Sequence, residues 1–517
     1  MGKDRRLWPL SHPVASTTLF FLISSVSFLQ ASAQSISTNT PVPPLQWINL
    51  TGLLTGPGPG PLKDASIGYD PAHQDLIIFG GESAQGIPQA QTYLLDLQTL
   101  TWSQPTAPDD TPAQSPPARS AAISGQDLAA SYRNGHVVIG GRGNDGEPLN
   151  DTWEFDYTNH FWSQVKITTP GPSVFAAAGG NDPRTPFDAT ALSNFFFVAG
   201  GFTGEKATSL SNIWKLTIAG TLSSNLPNLT TGTWEQIHPN NQSLPAVGGS
   251  ATAVVLQGSQ QHVVAVGGCD TSTNSTAACA QGQPYVIDID TSSNTAPANC
   301  PAPRIGASLA PNLNTASQSF DQQVFLLLGT FDSSQWQDDG GLDQGEVDVF
   351  NFNAGTWARI LPAGDPVDGH PTFPSPREGA AVFSLGQPLV GSAAASDTIV
   401  FGGKDATGNY LSEVWVLRAY NGTISQSNAT WSGFGNGQLQ GGPSANGQGV
   451  TIQYMSSCAS AISQPSGTGS SSGHSPTSSS KPPSPTNTGQ PIPVSRFDTS
   501  TVHKSLAPVS AALILPA

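Results

Sequence analysis

Six short hydrophobic runs recur along the chain, each too short for a helix and each closing on glycine. They occupy residues 76–79, 136–139, 195–199, 263–266, 325–328 and 398–401. The glycine pairs that follow are Gly80-Gly81, Gly140-Gly141, Gly200-Gly201, Gly267-Gly268 and Gly402-Gly403, with Gly329-Thr330 read as the relic of a pair. Their first glycines lie 60, 60, 67, 62 and 73 residues apart, a repeat loosened by insertions. Runs rich in Val, Ile and Phe that end in glycine predict strands buried on both faces, followed by a sharp turn at positive φ.

After each turn the pattern changes to period-two alternation. It is seen in Tyr93-Leu94-Leu95-Asp96, Trp153-Glu154-Phe155-Asp156, Ile213-Trp214-Lys215-Leu216, Tyr285-Val286-Ile287-Asp288, Val347-Asp348-Val349-Phe350 and Val414-Trp415-Val416-Leu417. Alternation puts the aromatic and aliphatic positions on one face of a third strand. A fourth strand then opens on Trp102, Trp162, Trp234, Trp357 or Trp431, and the fourth repeat has Pro297-Ala298-Asn299-Cys300-Pro301 in its place. Before several of the runs a strand of small residues follows Pro and a cation, as in Pro117-Ala118-Arg119, Pro303-Arg304 and Pro376-Arg377. Four strands per unit, small inside and tryptophan outside, predict an all-β propeller of four-stranded antiparallel blades.

These residues resemble the kelch-repeat family, whose blades carry a double glycine, then Tyr or Trp, then Trp. The resemblance covers about residues 47 to 455 and implies six blades, or seven if two orphan segments, 47–50 and 450–454, build a blade of their own. Secreted kelch proteins of fungi look like this chain, and some carry a membrane domain after a stalk like the one described below.

The ends carry a different kind of information. Residues 1–33 read as a secretory signal, with Lys3, Arg5 and Arg6 before an apolar core at 17–29 and Ala31-Ser32-Ala33 as cleavage site. A linker is expected at 34–46, the propeller at 47–460, a Ser/Thr/Pro-rich disordered stalk at 461–505, and a short apolar tail at 506–517. The tail is too short to span a bilayer; it fits a lipid-anchor signal or the start of a truncated membrane domain. Four cysteines suit an oxidising compartment and allow three connectivities that the sequence does not choose between. The cheapest is a local Cys269–Cys279 bridge, which would leave Cys300–Cys458 to tie the end of the propeller to its body. Sequons at Asn49, Asn150, Asn228, Asn241, Asn274, Asn421 and Asn428 are compatible with export. A formal net charge of −16, with 10% charged residues, argues against nucleic-acid binding.

Catalytic patterns are thin. A copper radical oxidase of the galactose oxidase kind shares the propeller architecture but needs a Tyr-His pair, and none of the eight tyrosines here precedes a histidine. The acidic loop 338–346 lacks the spacing of a calcium loop. No cofactor, metal or catalytic residue is therefore expected. The leading expectation is a secreted or cell-surface, non-catalytic module binding protein or glycan. The alternatives are an extracellular propeller enzyme acting on carbohydrate, or the ectodomain of a larger membrane protein. The candidate binding rim is the one that carries the glycine pairs and the insertions 269–284 and 330–346. It brings in Lys63, Arg119, Arg304, Arg377, Trp336, Asp338 and Asp339. The structural alternative is that these cations bond to neighbouring blade carbonyls and that Trp336, belonging to no strand, lies on its own loop.

Overall fold

The computed structural model describes residues 36–462 except 108, 110–113, 131–132, 185–192, 223–228, 238–242, 271–278, 292, 426–429 and 432–438. The expected leader, the stalk and tail from 463 onward, and Asn228, Asn241, Asn274 and Asn428 lie outside the described residues.

The repeats fold as six antiparallel blades. Blade one is Ser66–Asp70, Asp75–Phe79, Thr92–Asp96 and Thr101–Ser103; blade two is Ile123–Ala130, Arg133–Ile139, Thr152–Asp156 and Phe161–Gln164. Blade three is Ala178–Asn181, Ser193–Ala199, Ile213–Ala219 and Thr231–Ile237, with Lys166–Thr169 added in parallel at its outer edge. Blade four is Ala251–Gln257, Gln260–Val266, Pro284–Asp288 and Asn294–Thr295. Blade five is Ser308–Pro311, Gln323–Leu327, Val347–Asn351 and Thr356–Leu361.

Blade six joins the two ends of the repeat. Ala381–Leu385, Ala395–Phe401 and Val414–Tyr420 take Leu45–Asn49 as their outermost strand, with Trp47 opposite Leu417. The fourth-strand tryptophan of this blade is therefore Trp47 and not Trp431, because Thr430–Trp431 pairs with Val450–Thr451 outside the blade. The other orphan, Gln453–Met455, adds a fifth strand to blade five along Arg359–Leu361. Ile36 and Ser37 pair with Trp357 on that same edge, so the expected linker is already part of the propeller surface. Both segments cover strand edges that would otherwise template pairing with another chain. No seventh blade exists among the described residues.

The alternation of the sequence becomes six wedges between blades. Each outer tryptophan packs on the blade before it: Trp162 lies with Ile77 and Phe79, Trp234 with Val137 and Ile139, and Trp357 with Val264 and Val266. Trp102 lies with Ile399 and Phe401, and Trp47 with Phe325 and Val349. Trp47 and Trp357 are fully buried, so truncating either to alanine would cost about 3–5 kcal/mol. The Cys269–Cys279 and Cys300–Cys458 disulfides are both present. The second ties the C-terminal segment to the body of the propeller.

Candidate binding rim

One turn is repeated at the glycine-bearing rim. The second glycine of each pair donates its N–H to a linker carbonyl, which belongs in turn to Leu62, Arg119, Val174, Val247, Arg304 or Arg377. The donors are Gly403, Gly81, Gly141, Gly201, Gly268 and Gly329, at 2.8–3.3 Å. Gly329 is thus a second glycine. The fifth pair is Leu328-Gly329 and not Gly329-Thr330, with Leu328 at φ +57° where the other blades have first glycines at φ +58° to +70°.

Two residues beyond each linker carbonyl the chain passes through the left-handed region again, at Asp64, Ala121, Ala176, Gly249, Gly306 and Gly379. These six stand around the propeller axis, and five of the six steps between neighbours are closed by backbone hydrogen bonds. They are Ala121 to Asp64, Ala176 to Ala121, Gly249 to Ala176, Gly379 to Gly306 and Asp64 to Gly379, at 2.7–2.9 Å. Just outside this ring, each blade pairs one linker residue with the residue after its glycine pair. The pairs are Lys63 with Glu82, Ser120 with Arg142, Phe175 with Phe202, Gly248 with Cys269, Ile305 with Thr330, and Glu378 with Lys404.

The floor of the rim is consequently divided. On blades six, one and two it is ionic: Lys404 meets Glu378 at 3.0 Å, and Glu82 gathers Lys63, Arg142 and the Tyr410 hydroxyl at 3.7, 3.3 and 2.6 Å. Burial alone would lower the Lys63 pKa, but Asp64, Glu82 and Glu378 together hold it above the usual lysine range. Burial, together with the hydrogen bond to Glu82, pushes the Tyr410 phenol upward. On blades three to five the floor is apolar and half-buried: Phe175 lies 5.5 Å from Phe202, and Ile305 adjoins Thr330.

Residues 45–228 match the KLHDC2/KLHL20/DRC7 Kelch-repeats domain. The six-bladed architecture carries the same turn through all six repeats. The fold is a kelch propeller. No curated protein matches the chain.

Three of the cations expected on the kelch rim are buried within its blades. Arg119, 1% exposed, bonds to the Gly140 carbonyl at 2.8 Å and clasps both oxygens of Asp151. Arg377 bonds to the Gly402 carbonyl and to Glu413. Arg304 bonds to the Leu328 carbonyl and meets Glu346 at 3.3 Å and Asp348 at 2.5 Å. Lys63 is buried as well. All four are buried and each is already paired with a carboxylate, Arg119 with Asp151, Arg377 with Glu413, Arg304 with Glu346 and Asp348, and Lys63 with Asp64 and Glu82.

Blade five departs from the repeat at a second point. Asp348 stands in the register position held elsewhere by Tyr93, Trp153, Trp214, Tyr285 and Trp415. Arg359 fills the space, bonding to both Glu346 oxygens at 2.8 Å. Burial drives the Asp348 carboxyl well above the usual range, and the neighbouring Glu346 charge adds to this. Burial opposes ionisation of Glu346 too, but hydrogen bonds from Asp348 and Arg359 and the two guanidinium charges keep it ionised.

The remaining predicted residues lie in the blade-five insertion. Trp336 does belong to a strand: Trp336–Gln337 pairs with Ser460–Ala461 of the C-terminal segment, leaving the ring half-buried. Asp338 is buried, its carboxylate accepting the N–H groups of Gly340 and Leu342 and its carbonyl accepting Arg359. Asp339 is exposed and accepts Gln337 and Ser457. Of the described sequons, Asn150 and Asn421 are exposed, whereas Asn49 is half-buried and its amide oxygen accepts Thr51. Glu82, Arg142, Phe175, Phe202, Ile305 and Lys404 were not singled out by sequence reading. Their signal is positional: each stands one residue past a glycine pair or one before a left-handed residue.

Proposed function

We propose that this chain is a secreted or cell-surface, non-catalytic binding module whose kelch rim holds a protein or glycan ligand. The observation that carries this reading is the division of labour at the rim. Its cations are consumed in ion pairs that hold the turns. Its half-exposed aromatic and aliphatic groups, Phe175, Phe202, Ile305 and Trp336, stand beside loops fastened by disulfides and the C-terminal segment. Rigid turns carrying partly exposed apolar groups suit recognition, because little order has to be imposed on binding.

The test has two arms. N-terminal sequencing of protein recovered from culture medium should begin at Gln34; retention of the full chain inside cells would remove the export part of the proposal. Ligand capture by the mature protein should weaken by more than about 1 kcal/mol in Trp336→Ala and Phe202→Ala. Unchanged capture in both, with loss in variants of the opposite rim such as Gln98→Ala, would place recognition elsewhere.

A further inference from the structure

Two positions change together across the six repeats. The linker position reads Leu62, Arg119, Val174, Val247, Arg304, Arg377 from blade one to blade six, and the residue before the third strand reads Gln91, Asp151, Asn212, Gln283, Glu346, Glu413. Blades with arginine have a carboxylate, and blades with an aliphatic side chain have an amide. In blades two, five and six the guanidinium fills the space between the first residue of the turn and the acid, bonding to Gly140, Leu328 or Gly402.

The three amide blades close this space differently. In blade three, Asn212 Oδ1 accepts Trp214 Nε1 at 3.1 Å and Gln236 Nε2 at 2.8 Å. In blade four the Gln283 amide donates to the Pro297 carbonyl. In blade one the space is open: a cavity of about 420 Å³ is lined by Leu62, Gly80, Gln91 and Tyr93, with Ser83, Gln85 and Gln89 from the following loop. That volume falls in the range of small-ligand sites, roughly 300–1,000 Å³.

The lining decides the chemistry. No lining residue is charged. A phosphate or carboxylate would find no cation, and an ammonium or guanidinium would find no anion, because the acid of blades two, five and six is here Gln91. A purely aliphatic ligand would strip water from three amides without replacing their hydrogen bonds. What fits is a ring with hydroxyls on its edge and C–H groups on its face. The hydroxyls suit the Gln85 amide, the Gln91 amide nitrogen, and the remaining capacity of Ser83 and Gln89, each of which already donates to the Ile87 carbonyl. The face suits the half-buried Tyr93 ring. We propose that the blade-one cavity binds an uncharged sugar residue. This deepens the binding-module reading by naming a ligand class and a place away from the central floor.

The repeats supply the experiment. Leu62→Arg with Gln91→Asp would rebuild in blade one the pair that fills blade two. Glucose, mannose, galactose and N-acetylglucosamine would be titrated against the full chain by saturation-transfer NMR. Wild type should show saturable transfer to ring protons of at least one sugar, and the filled variant should bind it at least about tenfold more weakly with an undiminished melting temperature. If the filled variant is not recovered folded, Gln85→Ala at the exposed mouth should give a loss in the same direction. Absence of transfer in wild type, equal transfer in the filled variant, or displacement of the sugar by N-acetylarginine amide would each overturn the proposal. Sugar binding that fails while Trp336-dependent capture persists sinks the cavity alone; the reverse result sinks the rim and leaves the cavity.

Discussion

Arg304 donates to the carbonyl of Leu328 at 3.3 Å, as Arg119 does to Gly140 and Arg377 to Gly402. The contact identifies Leu328 as the first residue of the fifth turn, a leucine held in a conformation that five other blades give to glycine. A non-glycine residue there costs about 1–2 kcal/mol. Leu328 is 1% exposed and belongs to the core between blades five and six, and burying it returns about 1.5–3 kcal/mol. Leu328→Gly should therefore destabilise by only about 1 kcal/mol, a shift of a few degrees in melting temperature. A loss comparable to Leu→Ala in a closed core would show that the strain had been misjudged.

The opposite exchange should be severe. A Cβ on Gly80 would stand 2.6 Å from the Arg119 carbonyl oxygen at φ +67°, so Gly80→Val meets backbone that cannot give way. Little folded protein should be recovered. Gly60→Val, where nothing lies within 4 Å, should fold like wild type, and equal yields from the two variants would remove the steric reading.

The Cys300–Cys458 disulfide closes a loop of 158 residues, against 10 for Cys269–Cys279. On the chain-entropy account the long loop contributes about 4–5 kcal/mol and the short one less. Cys458→Ser should also release the segment that pairs with Trp336, raising the exposure of that ring. Iodide quenching of tryptophan fluorescence should increase in Cys458→Ser and remain unchanged in Cys279→Ser.

Much of this architecture was legible because its signals are local. Buried runs, glycine pairs and alternating third strands each occupy a few consecutive residues, and they specify blades one to four directly. The misplaced features are those settled at a distance. Nothing near Trp431 reveals that the outer strand of blade six comes from Leu45–Asn49, which pairs with residues some 370 positions later. Leu328 looks like the end of a hydrophobic run because it takes positive φ without the glycine that marks this turn position in the other five blades. Arg119, Arg304 and Arg377 stand beside the glycine turns, but their partners Asp151, Glu346 and Glu413 lie 32, 42 and 36 residues further on. Only the folded turn shows that each arginine is buried against its acid.

Two buried groups set opposite slopes of stability against pH. Burial lowers the His136 pKa from 6.5 to about 3, so between those values the unfolded chain binds a proton that the folded chain does not. Its contribution is lost as pH falls below about 6.5. Burial, with the Asp127 charge, raises Glu154 well above 4.5, so its contribution is lost as pH climbs above that value. Each unit of separation is worth about 1.4 kcal/mol. Denaturant titrations should show a plateau between about pH 4.5 and 6.5 from this pair. His136→Leu should flatten the acid limb and Glu154→Gln the alkaline one; unaltered limbs in both would sink the assignment.

The covariation of linker and strand-edge residues makes a prediction of its own in blade two. Arg119→Leu alone strands Asp151, whose carboxylate keeps only the Trp153 indole at 2.7 Å and stays 17% exposed. Removing one member of a largely buried ion pair typically costs about 3–5 kcal/mol. Blade one shows the repaired combination, Leu62 with Gln91. Adding Asp151→Gln to Arg119→Leu should therefore recover part of the loss, giving a coupling energy of about 1–3 kcal/mol in a double-mutant cycle. The same two changes should open a cavity between Gly140 and Trp153 like that of blade one. Strictly additive effects would mean that the two positions vary independently and that the open space in blade one owes nothing to its missing arginine.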